Sequence, residues 1–153
     1  MVKEETKTKG VLTFIYRDAF LGHVIRKNHY KNVVTNDYFE MIALRLIGGS
    51  ADTDITYGAV GTGGSVSPLA TDSTLDTEDT RVILAARTSS GGIVTLRAYY
   101  GPADANGTLT EFAWFGNGAT ASVDSGTMIN HAVIAETKTS SETLTVEGTL
   151  TIA

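Results

Sequence analysis

The chain contains no cysteine, so disulfides, thiolate nucleophiles and thiolate metal sites are excluded together. Proline is almost as scarce. With only Pro68 and Pro102 in 153 residues, long stretches are free to pair as strands. No apolar run approaches the ~20 residues that span a bilayer. Met1 to Gly10 is charged and Thr-rich where a signal peptide would carry an apolar segment, so a soluble, unprocessed chain without membrane contact is expected. Positive charge is in short supply too. A net charge of −5 argues against sequence-independent nucleic-acid binding. The basic residues that exist concentrate early, at Lys3, Lys7, Lys9, Arg17, Arg26, Lys27, Lys31 and Arg45. This gives the N-terminal third either a face for an acidic partner or an ordinary solvated surface.

Threonine and glycine are frequent, a mixture that favours half-buried strands joined by tight turns. The expected strands are Val11 to Tyr16, His23 to Tyr30, Ile55 to Val60, Thr80 to Thr88, Ile93 to Tyr100, Leu109 to Phe115, Met128 to Ala135 and Thr143 to Ile152. Asp18 and Gly22 suit the first hairpin turn, Ser89-Ser90-Gly91-Gly92 a second, and Asp104-Ala105-Asn106-Gly107 a third. Ile15 is apolar between Phe14 and Tyr16, so the first strand is either covered on both faces or simply central. In the last strand Leu144, Val146, Leu150 and Ile152 oppose a row of threonines and Glu147, as expected with one face wet. Between Asn36 and Ile47 the period changes: Phe39, Ile42, Ala43 and Leu46 define one helical face, with Asn36 or Asp37 as cap and Gly48-Gly49 as stop. The fold class is therefore mainly β, an antiparallel β-sandwich or small barrel of about eight strands with one packed α-helix at about 36–47. Residues 1–10 form an N-terminal arm and residues 11–153 a single β-rich domain, large enough to bury roughly 68 to 70% of its unfolded surface.

Chemical motifs are thin. Gly61-Thr62-Gly63-Gly64-Ser65 superficially suggests a phosphate loop, but Val66-Ser67-Pro68 follows where a Lys and a helix would be needed, leaving a flexible glycine loop at a strand end. His23 and His29 lie on one strand about 20 Å apart by strand rise, too far to share a metal. His131 sits among apolar residues and reads as a core or surface histidine. Asp52, Asp54, Asp72, Asp76, Glu78 and Asp79 lack the EF-hand order and read as solvated acidic loops rather than a calcium site. No nucleophile, base and oxyanion donor assemble from named residues, so no catalytic residue, cofactor or metal is assigned. Phe112 and Trp114 share a strand face and suit a core, while Glu111 falls on the face of Ala113 and Phe115 and needs a partner if buried. The competing use of the aromatics is a sugar-stacking platform offered by Tyr100 or Trp114.

Four blocks stand out in order: Tyr57-Gly58-Ala59-Val60-Gly61-Thr62-Gly63, Leu75-Asp76-Thr77-Glu78-Asp79-Thr80-Arg81, Glu111-Phe112-Ala113-Trp114-Phe115-Gly116 and Ser125-Gly126-Thr127-Met128. Upstream, Gly10 to Thr35 carries a strand, an Asp and Gly turn, a second strand and Asn32-Val33-Val34-Thr35-Asn36. Together these resemble the small virion structural proteins of tailed bacteriophages across nearly the whole chain. Asp37-Tyr38 departs from that pattern, standing where a Gly-containing pair usually follows. The resemblance implies a non-enzymatic virion protein, assembled in the host cytoplasm. It would be a capsid decoration or cement subunit that binds the major capsid protein, or alternatively a tail-fibre, collar or baseplate subunit. A glycan-binding adhesive module is the alternative from a different class. A homo-oligomer, with a trimer among the options, is implied, as are a surface position for the glycine loop and a structural ion pair between Glu78 and Arg81. The expected partner-binding residues are Lys3, Lys7 and Lys9 in an arm tethered to a partner, with Tyr57, Arg81 and Trp114 in the body.

Overall fold

The computed structural model describes residues 9–64 and 67–152. Nine strands and one helix follow in the order β1 (Lys9–Asp18), β2 (Val24–Val34), α1 (Asn36–Leu46), β3 (Ile55–Gly61), β4 (Glu78–Ser90), β5 (Ile93–Tyr100), β6 (Gly107–Gly116), β7 (Thr127–Met128), β8 (Asn130–Lys138) and β9 (Glu142–Thr151). The sheet runs β3-β4-β5-β9-β1-β2-β8-β6, and β3 pairs with β6 to close an eight-stranded antiparallel barrel. Of the two expected architectures, the chain adopts the barrel. The extra strand, β7, pairs with the end of β6 at Phe115 and Gly116 and continues the line of β8 past an irregularity at Ile129. The first strand begins at Lys9, paired with Thr151, so Lys9 and Gly10 belong to the barrel rather than to the arm. Lys3 and Lys7 lie outside the described residues.

The hairpins form where turn chemistry demands them. Ser90 pairs with Ile93 around Gly91 and Gly92, whose φ angles of 56° and 77° supply the left-handed geometry of a two-residue turn. β1 is central, between β2 and β9, and only its Leu12, Phe14 and Tyr16 face enters the core. That core is filled by Leu96, Ala98 and Tyr100 from β5, Phe112 and Trp114 from β6, and Leu144, Val146 and Leu150 from β9. Ile152 lies beyond the last strand and is half exposed, so it does not continue the buried row. Trp114 stands edge-on to Phe112, with ring centroids 4.6 Å apart. Its indole also presses on two glycines: a Cβ at Gly58 would come within 2.9 Å of the ring, and one at Gly148 within 2.7 Å. Bare backbone at these positions lets the largest side chain enter a narrow barrel.

Helix α1 has the expected span but a different cap and a different face. Thr35 is the cap, its Oγ1 accepting from the Tyr38 amide at 3.2 Å and donating to the Met128 carbonyl at 2.5 Å. The Thr35 amide donates to Ile129 O at 3.0 Å, and the Asn36 amide to Ala70 O at 2.7 Å. Anchored in this way, the helix turns Tyr38 and Met41 inward, with Ile42 beside them, and leaves Phe39, Ala43 and Leu46 outward. The residues that depart from the phage pattern thus occupy the first turn, where Asp37 complements the helix dipole and Tyr38 is buried. Gly48, at φ 81°, ends the helix as expected.

The barrel wall is uneven. Between β2 and β8 the ladder consists of Val33 with His131 and Val34 with Asn130, and the remaining length is bridged by side chains. The Tyr30 hydroxyl donates to Glu136 at 2.6 Å and accepts from the Ala135 amide at 3.3 Å. Asn28 donates to Glu136 at 2.8 Å, and Arg26 to Thr137 O at 2.5 Å and to the Glu142 carboxylate. Arg26 also lies over the Tyr16 ring, 3.6 Å from its centroid. Burial and the hydrogen bond to Glu136 push the Tyr30 phenol up to about 12. The Arg26 hydrogen bond, working against burial, holds Glu142 below the ordinary carboxylate range.

Gly148→Ala should lower the unfolding free energy measured in urea by the roughly 1–3 kcal/mol typical of an overpacked core and shift Trp114 emission. Gly64→Ala, where an added Cβ meets nothing within 4 Å, should leave both unchanged.

Candidate functional site

β6 is buried on both faces. Phe112 and Trp114 point into the barrel, whereas Glu111, Ala113 and Phe115 point outward and are nevertheless enclosed. Two long connections cover them: the segment from Thr62 to Thr77 between β3 and β4, and the segment from Asn117 to Gly126 between β6 and β7. Ala59, Leu75, Ala113, Phe115 and Met128 form a second apolar cluster beneath these loops, with Tyr57 and Ala119 packed against it.

Glu111 supplies the polar half of the arrangement. Its Oε1 accepts from the Gly63 amide at 3.0 Å and the Thr77 amide at 2.8 Å, and its Oε2 from the Asp76 amide at 2.9 Å. The same Oε2 lies 3.1 Å from His131 Nε2. A buried carboxylate needs such a ring of donors. Here it receives them from both ends of one loop and from β8. The first three residues of the glycine block, Gly61 to Gly63, are therefore fastened. Thr110 Oγ1 donates to Gly63 O at 2.6 Å, the Thr62 amide donates to Thr77 O at 2.9 Å, and a Cβ at Gly61 would come 2.6 Å from Glu111 Oε1. Gly61 and Gly63 are buried while Thr62 and Gly64 between and after them are exposed, so the block lies at the surface with alternate residues turned in, and Ser65 lies outside the described residues.

His131 joins two carboxylates. Its Nδ1 is 2.7 Å from Asp72 Oδ2, which also accepts from the Leu69 amide at 2.8 Å. The ring thus lies within hydrogen-bond distance of a carboxylate on each side. Burial raises the Asp72 carboxyl, but the Leu69 amide and the His131 ring together hold it below its ordinary value. The carboxylates flank opposite edges of one ring, a geometry that cannot close around a single ion. The ring itself is fully enclosed and offers no edge to a substrate.

The second fastening is an ion pair. Arg81 Nε and Nη2 donate to the two oxygens of Glu78 at 2.7 and 2.8 Å, with both side chains almost wholly buried. Its Nη1 donates to Ser125 O at 2.8 Å, Ser125 Oγ at 2.9 Å and Thr120 O at 3.1 Å. The guanidinium lies 4.1 Å from the Phe115 ring centroid and 5.8 Å from that of Tyr57. Glu78 Oε2 also accepts from the Asp124 amide at 3.1 Å. Gly126, at φ 77°, passes so close to Gly116 and Ala119 that no side chain fits. The expected Glu78–Arg81 pair is present, and it holds the Ser125-Gly126-Thr127-Met128 block down.

The structure thus unites Tyr57 and Arg81 but separates them from Trp114, which is sealed in the barrel. A sugar-stacking face on Tyr100 or Trp114 is not on the surface, since both rings are completely enclosed. Their neighbour Tyr99 is 50% exposed instead. Lys9 stands in β1 opposite Thr151, on the far side of the sheet order from β6. The acidic residues taken as solvated divide: Glu78 is buried and Asp72 is bound to His131, while Asp52, Asp54, Asp76 and Asp79 are exposed. Sequence flagged Glu111 as needing a partner, but not which one. His131 and Asp72 are 59 residues apart, and no local pattern joins them. No protein-family model, curated protein or solved structure matches the chain.

Glu111→Gln should put an amide NH2 against backbone N–H donors, cost about 1–3 kcal/mol, and speed hydrogen exchange at Gly63, Asp76 and Thr77 without opening the barrel interior. Arg81→Ala should cost about 3–5 kcal/mol by leaving Glu78 buried and unpaired, and Glu78→Leu/Arg81→Leu should recover most of it; denaturant unfolding of the three proteins measures both. Because the Asp72 carboxyl is lowered in the folded state, its contribution is complete above the ordinary carboxylate pKa and disappears as pH falls through the folded value. Asp72→Asn should accordingly flatten the loss of thermal stability in acid.

Proposed function

We propose that the protein is a non-enzymatic structural protein of a tailed-bacteriophage virion, most simply a capsid decoration subunit that stabilises the shell through protein–protein contacts. One observation carries the reading. The four blocks that resemble phage virion proteins lie far apart in sequence, yet they meet in one set of contacts that fastens two long loops to the outside of a barrel. Every polar group in that set is turned toward another part of the same chain. Residues used in this way hold a surface in shape. A subunit repeated by symmetry on a shell gains avidity from many modest contacts, provided each copy presents the same rigid surface.

The N-terminal arm fits the same role. β1 begins at Lys9 and is fixed on both sides by β2 and β9, and Lys3 and Lys7 precede it in sequence. This segment carries Lys3 and Lys7 beside Glu4 and Glu5, so its lysines offer individual ion-pair contacts to a neighbour rather than a net positive charge. A tail-fibre, collar or baseplate subunit is the competing location.

Purified protein, and a form lacking residues 1–8, should be incubated with empty capsids and with isolated tails, pelleted, and quantified. Saturable binding to capsids at a fixed number of copies, weakened by the truncation, is the expected result. Binding to tails alone would move the protein to the tail, and binding to neither would overturn the virion reading.

A further inference from the structure

One seam of the barrel wall is only partly closed. β2 is paired along its length with β1, from Asn32 opposite Gly10 to Val24 opposite Arg17. Its other edge meets β8 in two pairs, Val33 with His131 and Val34 with Asn130, and from Ile25 to Asn32 that edge has no strand partner. Side chains cross the rest of the seam. The Tyr30 hydroxyl accepts from the Ala135 amide at 3.3 Å, and Arg26 donates to the Thr137 carbonyl at 2.5 Å. In both contacts a β2 side chain reaches the β8 main chain where, in a ladder, the β2 main chain would stand. An edge without a ladder is a template for an extended chain.

The charges on this edge are of one sign. β2 holds Arg26, Lys27, His29 and Lys31 and no carboxylate, in a chain of net charge −5. Arg26 is engaged by Glu142, and Asn28 and Tyr30 turn inward to Glu136. Lys27, His29 and Lys31 alternate with them on the outer face, and all three are exposed. On the β8 side the exposed residues are Ala135 and Thr137, which are uncharged. On the β1 side Lys27 stands opposite Ile15 and Lys31 opposite Val11, with Thr13 between and Arg17 beyond. Among the described residues neither lysine enters an ion pair. Lysines on a bare edge repel another copy of that edge and leave it open to a strand of opposite charge.

We infer that the β2 edge between Ile25 and Asn32 is a docking site for an extended acidic segment of a partner protein, which adds to β2 as a strand. Main-chain bonds to β2 supply the affinity, and carboxylates at every second position of the segment lie beside Lys27 and Lys31 on the outer face. The intervening side chains point into the seam, where Asn28, Tyr30 and the buried Glu136 call for small, uncharged residues. Entry requires Tyr30 to release Ala135, but no backbone pair between β2 and β8 has to break. The inference goes beyond the virion reading and does not depend on it, because the edge belongs to the isolated chain.

A synthetic peptide that alternates glutamate and valine, titrated into the isotope-labelled full-length protein, tests it. Saturable binding is expected, with slowed hydrogen exchange at alternate amides of β2 between Ile25 and Asn32. Replacing the valines of the peptide with prolines keeps every carboxylate but prevents strand pairing, and should abolish binding. A peptide alternating lysine and valine should not bind either. The variant Lys27→Glu/Lys31→Glu changes exposed side chains, so it should keep the wild-type melting temperature while binding the glutamate peptide roughly tenfold more weakly or worse. Equal binding by the proline peptide, or by a single-stranded DNA oligonucleotide, would mark a general patch for anions and overturn the inference. The absence of saturable binding up to about 1 mM peptide overturns it too, as does protection that falls outside β2. Because no capsid is present, failure here leaves the capsid-binding experiment to stand or fall independently.

Discussion

A carboxylate buried away from water must be surrounded by donors, and Glu111 sits at that constraint. It lies on the outer face of a barrel strand, where solvent would ordinarily serve it, but the chain covers this face. Three backbone amides and a histidine take the place of water. The consequences spread outward. Gly61 has to be a glycine because the carboxylate lies against it, and the loop from Thr62 to Thr77 has to begin and end where its amides reach Glu111. Asp72 is brought to the other side of His131, near the Ala70 carbonyl that receives the first amide of α1. One charge thereby relates a strand, a loop and the helix entry.

Arg81 is the counterpart with the opposite sign. Stacked on Phe115 and forked onto Glu78, it has a remaining edge that binds two carbonyls and a hydroxyl of the neighbouring loop. An arginine suits this better than a lysine, because the planar fork serves a carboxylate and several carbonyls together. The result is a barrel with two cores back to back through β6: an aromatic one inside, around Trp114, and a mixed apolar and ionic one outside. Rigid loops on the outer wall follow from the second core, not from hydrogen bonds within the loops alone.

Much of the barrel was legible in the sequence because strand alternation and turn residues are local signals. The β4–β5 turn, the alternation of Phe112 and Trp114 with Glu111, and the span of α1 all come from residues within a few positions of each other. What was missed depends on distant partners. The helical face was read from hydrophobic spacing as Phe39, Ile42, Ala43 and Leu46, but the rotation of the helix is set by Thr35 gripping the Met128 carbonyl, 93 residues away. The glycine block looked flexible because the carboxylate that pins it lies 48 residues downstream of Gly63. Glu78 and Arg81 were linked through a resemblance, whereas the need of Glu111 for a partner followed from alternation alone. Trp114 was a candidate for both interior and surface, and Gly58 and Gly148, which admit it to the interior, are remote from it in the chain.

The join between β2 and β8 sets an order in time. Its backbone pairing is confined to two residue pairs, and its other contacts link Arg26, Asn28 and Tyr30 to residues more than a hundred positions later. The hairpins β1–β2 and β4–β5 close short loops, and the β1–β9 ladder has ten paired positions to hold its ends together. Closing entropy falls hardest on the long-range, sparsely bonded join. During synthesis β2 leaves the ribosome long before β8 exists, and β9, which joins β1 to β5, comes later still, so the β1–β2 hairpin and the strands β3 to β6 cannot be united until the chain is nearly complete. Of the seams in the finished ring, the one between β2 and β8 has the fewest backbone pairs of any between full-length strands, and there tyrosine and arginine side chains take the place of a ladder.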